Sequence, residues 1–336
     1  MNSLTGMIAS NKQHYVFQAY LRRFSSDVKK KFIWACIKDN VIKELAIKNV
    51  AFSDKMYEVK LLNNSEIALF KFVACVLNSG NAESQTCVDE FIRAYNEPSN
   101  LVRFVNKVCD AICKNTDANN IKSIKKIIDN FKHNNKVSLI NMNERYYSTI
   151  ESELNAYIDD IINLKFDEIK EHRRRIVRCM LFQYYRTKIM RDSIKEVFKK
   201  ILDNNRNCME IGVEPSVVNV DNLLTPYLLF MSMTGNDDFD IAVIKNETNI
   251  DFITCDQPMI NLCADYKTNV APEKFIFYYP VSPKFAILVN DRVDSILECV
   301  TSIDKVNTLN NKIVDAHGDF LFASSEHQLK EIIGTE

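Results

Sequence analysis

The residues best suited to chemistry lie in Gln13–Ser26, QHYVFQAYLRRFSS, where a histidine, two glutamines, two tyrosines and two arginines crowd together near the N-terminus. Read as a continuous helix, His14, Gln18 and Arg22 fall at i, i+4 and i+8 and form one polar stripe, with Val16, Phe17, Tyr20 and Phe24 on the buried side. An imidazole moves protons near neutral pH, and a guanidinium two turns away can hold an anionic oxygen in a fixed, bidentate geometry. That pairing suits phosphate or carboxylate chemistry. A solvated surface helix carries the same stripe with no function attached, because short polar stripes are common on such helices.

Two further pieces lie far downstream. Gln183 and Arg186 sit three apart near the apolar middle of a long helical run, where a buried guanidinium needs an acidic partner or an anionic ligand. Asp256, in FITCDQP (Phe252–Pro258), follows a strand and is the acidic candidate; a carboxylate there holds a ligand or simply makes a turn. HRRRIVR (His172–Arg178) reads as a solvated helical face that could also touch a phosphate backbone. Lining the same groove as His14, it would favour a nucleic-acid substrate; facing away, it would favour a small ligand. Phosphate-loop, dinucleotide-binding, nucleophile-elbow and zinc-helix motifs are absent. Asp256 has no companion carboxylates at metal-ligand spacing, which disfavours two-metal phosphodiester hydrolysis. No metal or cofactor is expected, and His14 with arginine support is the simplest chemistry. The rings of Tyr20, Tyr184 and Tyr185 offer a way to stack a base, as a nucleotide- or NAD-cleaving enzyme would need.

These residues need a scaffold, and composition bounds it. With 336 residues, 46% of them hydrophobic, the chain can bury a substantial core, and its 6 glycines and 7 prolines favour long helices over loop-rich architectures. The 43 basic and 44 acidic residues leave a net charge of −1, which excludes a globally basic surface that coats nucleic acid. Ten cysteines scattered singly read as buried thiols in a reducing cytoplasm. No signal peptide is evident, and no apolar run approaches the ~20 residues needed to span a bilayer. The expectation is a cytoplasmic protein without a membrane partner.

Periodicity predicts an α+β fold. Phe32–Ile37 and Val41–Ile47 read as a hairpin around Lys38-Asp39-Asn40. From Ser65 the apolar spacing becomes helical, with Pro98-Ser99 and Asp117 as helix starts, a helix over about 144–162, one long helix from about Asp167 to Leu202, and another over Leu223–Met233 with Pro226 in its first turn. Phe239–Asn246 and Ile250–Cys255 read as a second hairpin around Glu247-Thr248-Asn249. Strands at Phe275–Pro280 and Phe285–Asn290, a strand or short helix at SILECV, a helix in DKVNTLNNKIVDAHGDF and a final strand at FLFAS follow. The order β, α, β implies one domain over 1–336: an N-terminal motif and hairpin (1–60), a large helical insert (65–235) and C-terminal strands and helices (236–336). The N- and C-terminal strands would share a mixed sheet.

QHYVFQAYLRRFS resembles the HYVPQ-x-YLRxFS signature that opens the bacterial DUF4238 family, whose function is uncharacterised. YYRTKIMR (Tyr184–Arg191) is similar to its R-T-P-x-x-R element, FITCDQPMI to FITSDNPVV, and FYYPVSPKFAILV to its P-L-S-P strand pair. Here Phe17 and Lys188 replace prolines and Cys255 a serine. Carried over position by position, the resemblance implies a site built from His14, Gln18, Tyr20, Arg23, Arg186, Asp256 and Ser282. The resemblance, with the apparent accessory-gene context of the family, leads to the expectation of an enzyme acting on a phosphate-containing substrate, nuclease-like, an effector in bacterial anti-phage or toxin biology. His14 would be general acid/base, Arg186 and Arg23 would stabilise phosphate charge, Asp256 would orient His14 or Arg186, and Gln18, Tyr20, Gln183 and Ser282 would serve the substrate. The substrate would be a nucleic acid or a nucleotide, and a partner protein of a defence system fits the same context. The rival expectation is a non-catalytic sensor or partner-binding protein in which His14, Arg186 and Asp256 form a structural network.

Overall fold

A computed structural model describes residues 12–27, 29–54, 56–57, 62–77, 82–114, 121–204, 215–235, 239–266, 268, 272–291 and 293–334. In chain order these form β1 (Lys12–His14), α1 (Gln18–Leu21), a 3-10 turn (Arg22–Phe24), β2 (Phe32–Ile37), β3 (Val41–Ala46) and β4 (Phe52–Asp54). Helices α2 (Asn64–Leu77), α3 (Ala82–Lys114), α4 (Ile121–Ile162), α5 (Phe166–Tyr185), α6 (Lys188–Asn204) and α7 (Pro215–Gly235) follow. The chain then returns to strands: β5 (Asp240–Asn246), β6 (Thr254–Cys255), β7 (Ile260–Asn261), β8 (Phe277–Ser282), β9 (Phe285–Asn290) and β10 (Leu297–Val300), with α8 (Ile303–Ala316), β11 (Leu321–Ala323) and α9 (Glu326–Ile333) last. The protein is mixed α+β, as its periodicity predicts.

Contacts group the chain into two compact units, one of Met1–Gln13, Ser53–Ser148 and Ile194–Leu224, the other of His14–Phe52, Thr149–Ser193 and Thr225–Glu336. The described part of the first is almost wholly helical. Its α2 opens with a reciprocal cap: Asn63 Oδ1 accepts the Glu66 N–H at 2.9 Å and Glu66 Oε2 accepts the Asn63 N–H at 2.7 Å. Pro98 lies inside α3 and begins no helix. The buried positions Val88, Ile92, Tyr95 and Ser99 continue one helical stripe through it, and that burial outweighs the proline's cost. Pro226 likewise lies inside α7, whose first residue is instead Pro215, where a missing N–H costs nothing. The helix start expected at Asp117 lies outside the described residues.

The second unit contains two sheets. The N-terminal hairpin β2–β3 pairs from Phe32↔Ala46 to Ile37↔Val41, with Asp39 and Asn40 turning at positive φ as the polar triplet predicts. This hairpin joins two C-terminal strands in the order β3-β2-β11-β6, every pairing antiparallel. The N- and C-terminal strands therefore do share a sheet. The mixed pairing belongs to a second sheet, β10-β5-β9-β8-β7, where β10 runs parallel to β5. The second expected hairpin does not form: β5 pairs with β9 and β10, and Thr254–Cys255 enters the other sheet. Asn246 explains the departure. Its amide donates to Ile250 O at 2.7 Å and its carbonyl oxygen accepts from Thr248, a local turn that leads the chain away from β5. Between the sheets and α8 lies a core that includes Phe252, Ile253, Tyr278, Val306, Ile313 and Leu329.

The long helix expected over 167–202 is two helices broken at Arg186-Thr187. Thr187 Oγ1 accepts the Met190 N–H at 3.4 Å as the cap of α6, and the same hydroxyl lies against Gln257 Oε1.

Candidate functional site

Every candidate residue named from the sequence falls in the second unit. The N-terminal cluster is not a continuous helix. Phe17 is extended (φ −69°, ψ 141°), and only one helical turn follows before the 3-10 turn. Tertiary partners take the backbone groups that a helix would need: Tyr15 N–H donates to Ala51 O at 3.0 Å, Gln183 Nε2 to Tyr15 O at 2.9 Å, and Arg186 Nη2 to His14 O. The polar line nevertheless survives in another form. Gln18 Nε2 lies 3.5 Å from His14 Nε2, and Arg22 Nη2 donates to Gln18 Oε1 at 3.5 Å. The His14 ring tilts against Phe52, centroids 5.8 Å apart. Val16, Phe17, Tyr20 and Phe24 are all buried as expected, although not as one face of a helix, since Tyr15 and Leu21 are buried with them.

Tyr20 is a strut between the sheets. Its hydroxyl donates to Pro280 O in β8 at 2.6 Å and accepts from Thr254 Oγ1 in β6 at 2.6 Å, while its ring stacks on Tyr279 at 5.1 Å and 14°. Burial pushes its phenol well above the ordinary range. The ring is fully enclosed and offers no face to a ligand. Tyr20→Phe should therefore cost about 1–2 kcal/mol in urea unfolding, because Thr254 and Pro280 lose a shared partner. A loss below about 0.5 kcal/mol would show that the bridge contributes nothing to stability.

The remaining candidates are held by protein groups. Arg23 donates to Asn155 Oδ1 at 2.9 Å and pairs with Asp159 at 2.8 Å, which fixes it to α4. Arg186, 2% exposed, pairs through Nη1 with Glu151 at 2.6 Å. Glu151 thus supplies the acid that Arg186 requires. Asp256, expected in that role, is 1% exposed and turned elsewhere: its two oxygens accept the Gly318 and Asp319 N–H groups at 2.8 and 2.7 Å. Burial raises its carboxyl above the usual range, and the two amides pull it back only in part. A methyl group on Gly318 would meet Asp256 Oδ2 at 3.1 Å and Ile189 at 3.0 Å, so the turn closes tightly on the carboxylate and a side chain there would make these neighbours give way by a few tenths of an ångström. Ser282 Oγ accepts the Lys284 and Phe285 N–H groups at 3.3 and 3.1 Å and shapes the β8–β9 turn. The structure thus brings His14, Gln18, Gln183 and Arg186 together along the N-terminal segment, with Asp256 on the 318–319 turn and Ser282 at a strand turn.

Beside this segment opens a cleft that no motif in the sequence marks. It holds about 530 Å³, and the described residues that line it all lie between Gln18 and Lys48. Among the described residues five cations face it, Arg22, Lys29, Lys30, Lys31 and Lys48, and no carboxylate lines it. Among the described residues none of the five forms an ion pair. Phe32, 41% exposed, and Ile47 add an apolar wall, and Gln18 joins the cleft to His14. The lysine triplet sits on a fixed turn. Asp27 Oδ1 accepts the Lys31 and Phe32 N–H groups at 2.7 and 3.1 Å, and the Ser25 hydroxyl donates to it at 2.8 Å. Desolvation works against the charged Asp27 carboxylate, but the Phe32 amide and the Ser25 hydroxyl outweigh it and hold its pKa below the ordinary value. Lys30 adopts positive φ (52°) within this turn. The legible signal was DVKKKF itself, three lysines between a turn-forming Asp and a strand.

The basic run on α5 does not line the cleft. Glu168 lies near His172, Asp240 near Arg173, and Glu153 pairs with Arg178 at 2.7 Å. Among the described residues no group of three or more His, Cys, Asp or Glu is arranged to hold a metal ion, and no helix is long and apolar enough to cross a membrane. Comparison with curated proteins and with solved structures gave no match. The sequence pattern described as "Protein of unknown function (DUF4238)" matches residues 12–327, from β1 into α9, and the chain accordingly belongs to the DUF4238 family.

Proposed function

We propose that this protein is an enzyme that binds a phosphate-containing substrate in the basic cleft and acts on it through His14 as general acid/base. The observation that carries this reading is Gln18, which contacts the His14 imidazole on one side and lines the cleft of five unpaired cations on the other. Cations without carboxylate partners in a concave site attract phosphate and lose little on binding it, because no ion pair has to be broken. Arg186 acts in this reading as a positioning residue: it holds the His14 carbonyl and does not reach the substrate itself. A nuclease-like or nucleotide-cleaving reaction serving defence or toxicity is the form in which such an activity would operate.

The test is turnover of labelled RNA, labelled DNA, a nucleoside triphosphate and nicotinamide dinucleotide by the wild type and by His14→Ala, with melting temperatures measured alongside. The expected result is cleavage of one probe that His14→Ala reduces by at least ~10²-fold at unchanged melting temperature. Turnover that survives the substitution would remove His14 from the mechanism.

One set of contacts favours a second reading, a non-catalytic binding protein. Arg23 Nη2, the Arg186 guanidinium and the Asp256 carboxylate are engaged by Asn155 and Asp159, by Glu151, and by the 318–319 amides respectively. Binding of a phosphate probe without turnover of any of the four substrates would select it.

A further inference from the structure

We infer that the cleft is built for a nucleoside di- or triphosphate, with the phosphates among the lysines and the base against Phe32. This rests on the reading of the cleft as a phosphate site and adds to it the class of ligand. Three observations carry it. The first is size: about 530 Å³ lies within the range of pockets that enclose one small ligand, and the lining comes from a single short run of chain. The second is charge. Among the described residues five cations and no carboxylate face one cleft, a density suited to several phosphates held together, in a protein whose net charge is only −1. The α5 basic run does not extend this lining, and within it His172, Arg173 and Arg178 each lie near an acidic side chain.

The third observation is the aromatic ring among the cations. Phe32 is 41% exposed although it begins a strand, and it directly follows Lys29–Lys31. Base stacking on such a ring is sequence-tolerant, and each nucleobase presents a face to it. The turn that carries the lysines is tied to the ring by one carboxylate, since Asp27 receives the N–H groups of both Lys31 and Phe32. Phosphate-binding and base-binding elements are thus fixed relative to each other before a ligand arrives, which lowers the ordering cost of binding.

The experiment is isothermal titration of the full chain with ATP, inorganic tripolyphosphate, adenosine and a twelve-nucleotide single-stranded oligothymidylate. It is run on the wild type, Phe32→Leu and the double variant Lys30→Glu/Lys48→Glu. ATP should bind in a salt-sensitive manner, and adenosine should not bind measurably. Phe32→Leu should weaken ATP about tenfold and leave tripolyphosphate unchanged. The lysine variant should weaken both by about tenfold or more. Equal affinity for ATP and tripolyphosphate with no effect of Phe32→Leu would overturn the base subsite and leave the phosphate reading standing. So would equal loss of both ligands in Phe32→Leu, which would make Phe32 a support for the turn only. Oligothymidylate binding tenfold tighter than ATP would replace the nucleotide by a nucleic-acid strand. No binding of any phosphate probe would remove the phosphate reading itself.

Discussion

Arg186→Met should lower the unfolding free energy by about 3–4 kcal/mol. The guanidinium is 2% exposed and spans two groups, Glu151 on one side and the His14 carbonyl on the other. Removing it leaves a carboxylate without its partner and a backbone oxygen without its donor. Each is costly in a low-dielectric surround, because desolvation is no longer offset. Glu151 keeps some exposure, 26% of its side chain, which moderates the loss. Arg186→Lys should recover only part of the deficit, since a single ammonium cannot reproduce a planar fork that reaches both acceptors. Urea unfolding of the three proteins tests this, and a loss under about 1 kcal/mol for methionine would show that the pair is not a structural tie. At temperatures where Arg186→Met remains folded, phosphate-probe binding should persist, because the cleft lies elsewhere along the segment.

Asp256→Ala should cost about 2–3 kcal/mol and lower the melting temperature by several degrees. Two backbone N–H groups aim at its oxygens, and their loss frees the turn between α8 and β11. Water can reach part of that turn, since Gly318 is exposed, so the figure stays below the full cost of two charge-assisted bonds. The pH dependence has a definite sign. The folded carboxyl titrates above its unfolded value, so its titration contributes stability below the unfolded pKa, near ~3.9, and that contribution is lost as pH rises through the folded value. Against Asp256→Asn, which does not titrate, the wild type should therefore gain relative stability as pH falls from neutrality toward about 4. A difference that is flat over that window would show that the carboxyl is not raised.

How much was legible beforehand differs between strands and site. The β2–β3 hairpin could be read from β-branched and aromatic residues around a polar turn, because adjacent strands carry their own pairing information; β8 and β9 could be read as strands, and their pairing was implied by the family resemblance. The partner of β5 could not. That choice is made by the Asn246 side chain turning the chain aside and by strands that arrive much later. Helix breaks were hidden for a related reason. Nothing in the apolar spacing of 167–202 marks Arg186-Thr187 as a boundary; the boundary exists because Arg186 reaches the N-terminal segment and Thr187 reaches Gln257. The requirement that Arg186 find a partner followed from burial, whereas the identity of that partner depended on which of several acids the fold brought near. The lysine turn went unmarked because a run of charge looks the same whether solvated or gathered around a cleft.

The placement of the cleft within one stretch, Gln18 to Lys48, has an evolutionary consequence. On the proposed reading of the cleft as a ligand site, relatives would not need coordinated changes at distant positions to alter what they recognise: a few exchanges in a brief hairpin-and-turn cassette would suffice, while the interior struts stay untouched. Divergence of ligand preference within the family should accordingly concentrate in that cassette, and chimaeras that swap it alone should carry their donor's preference with them.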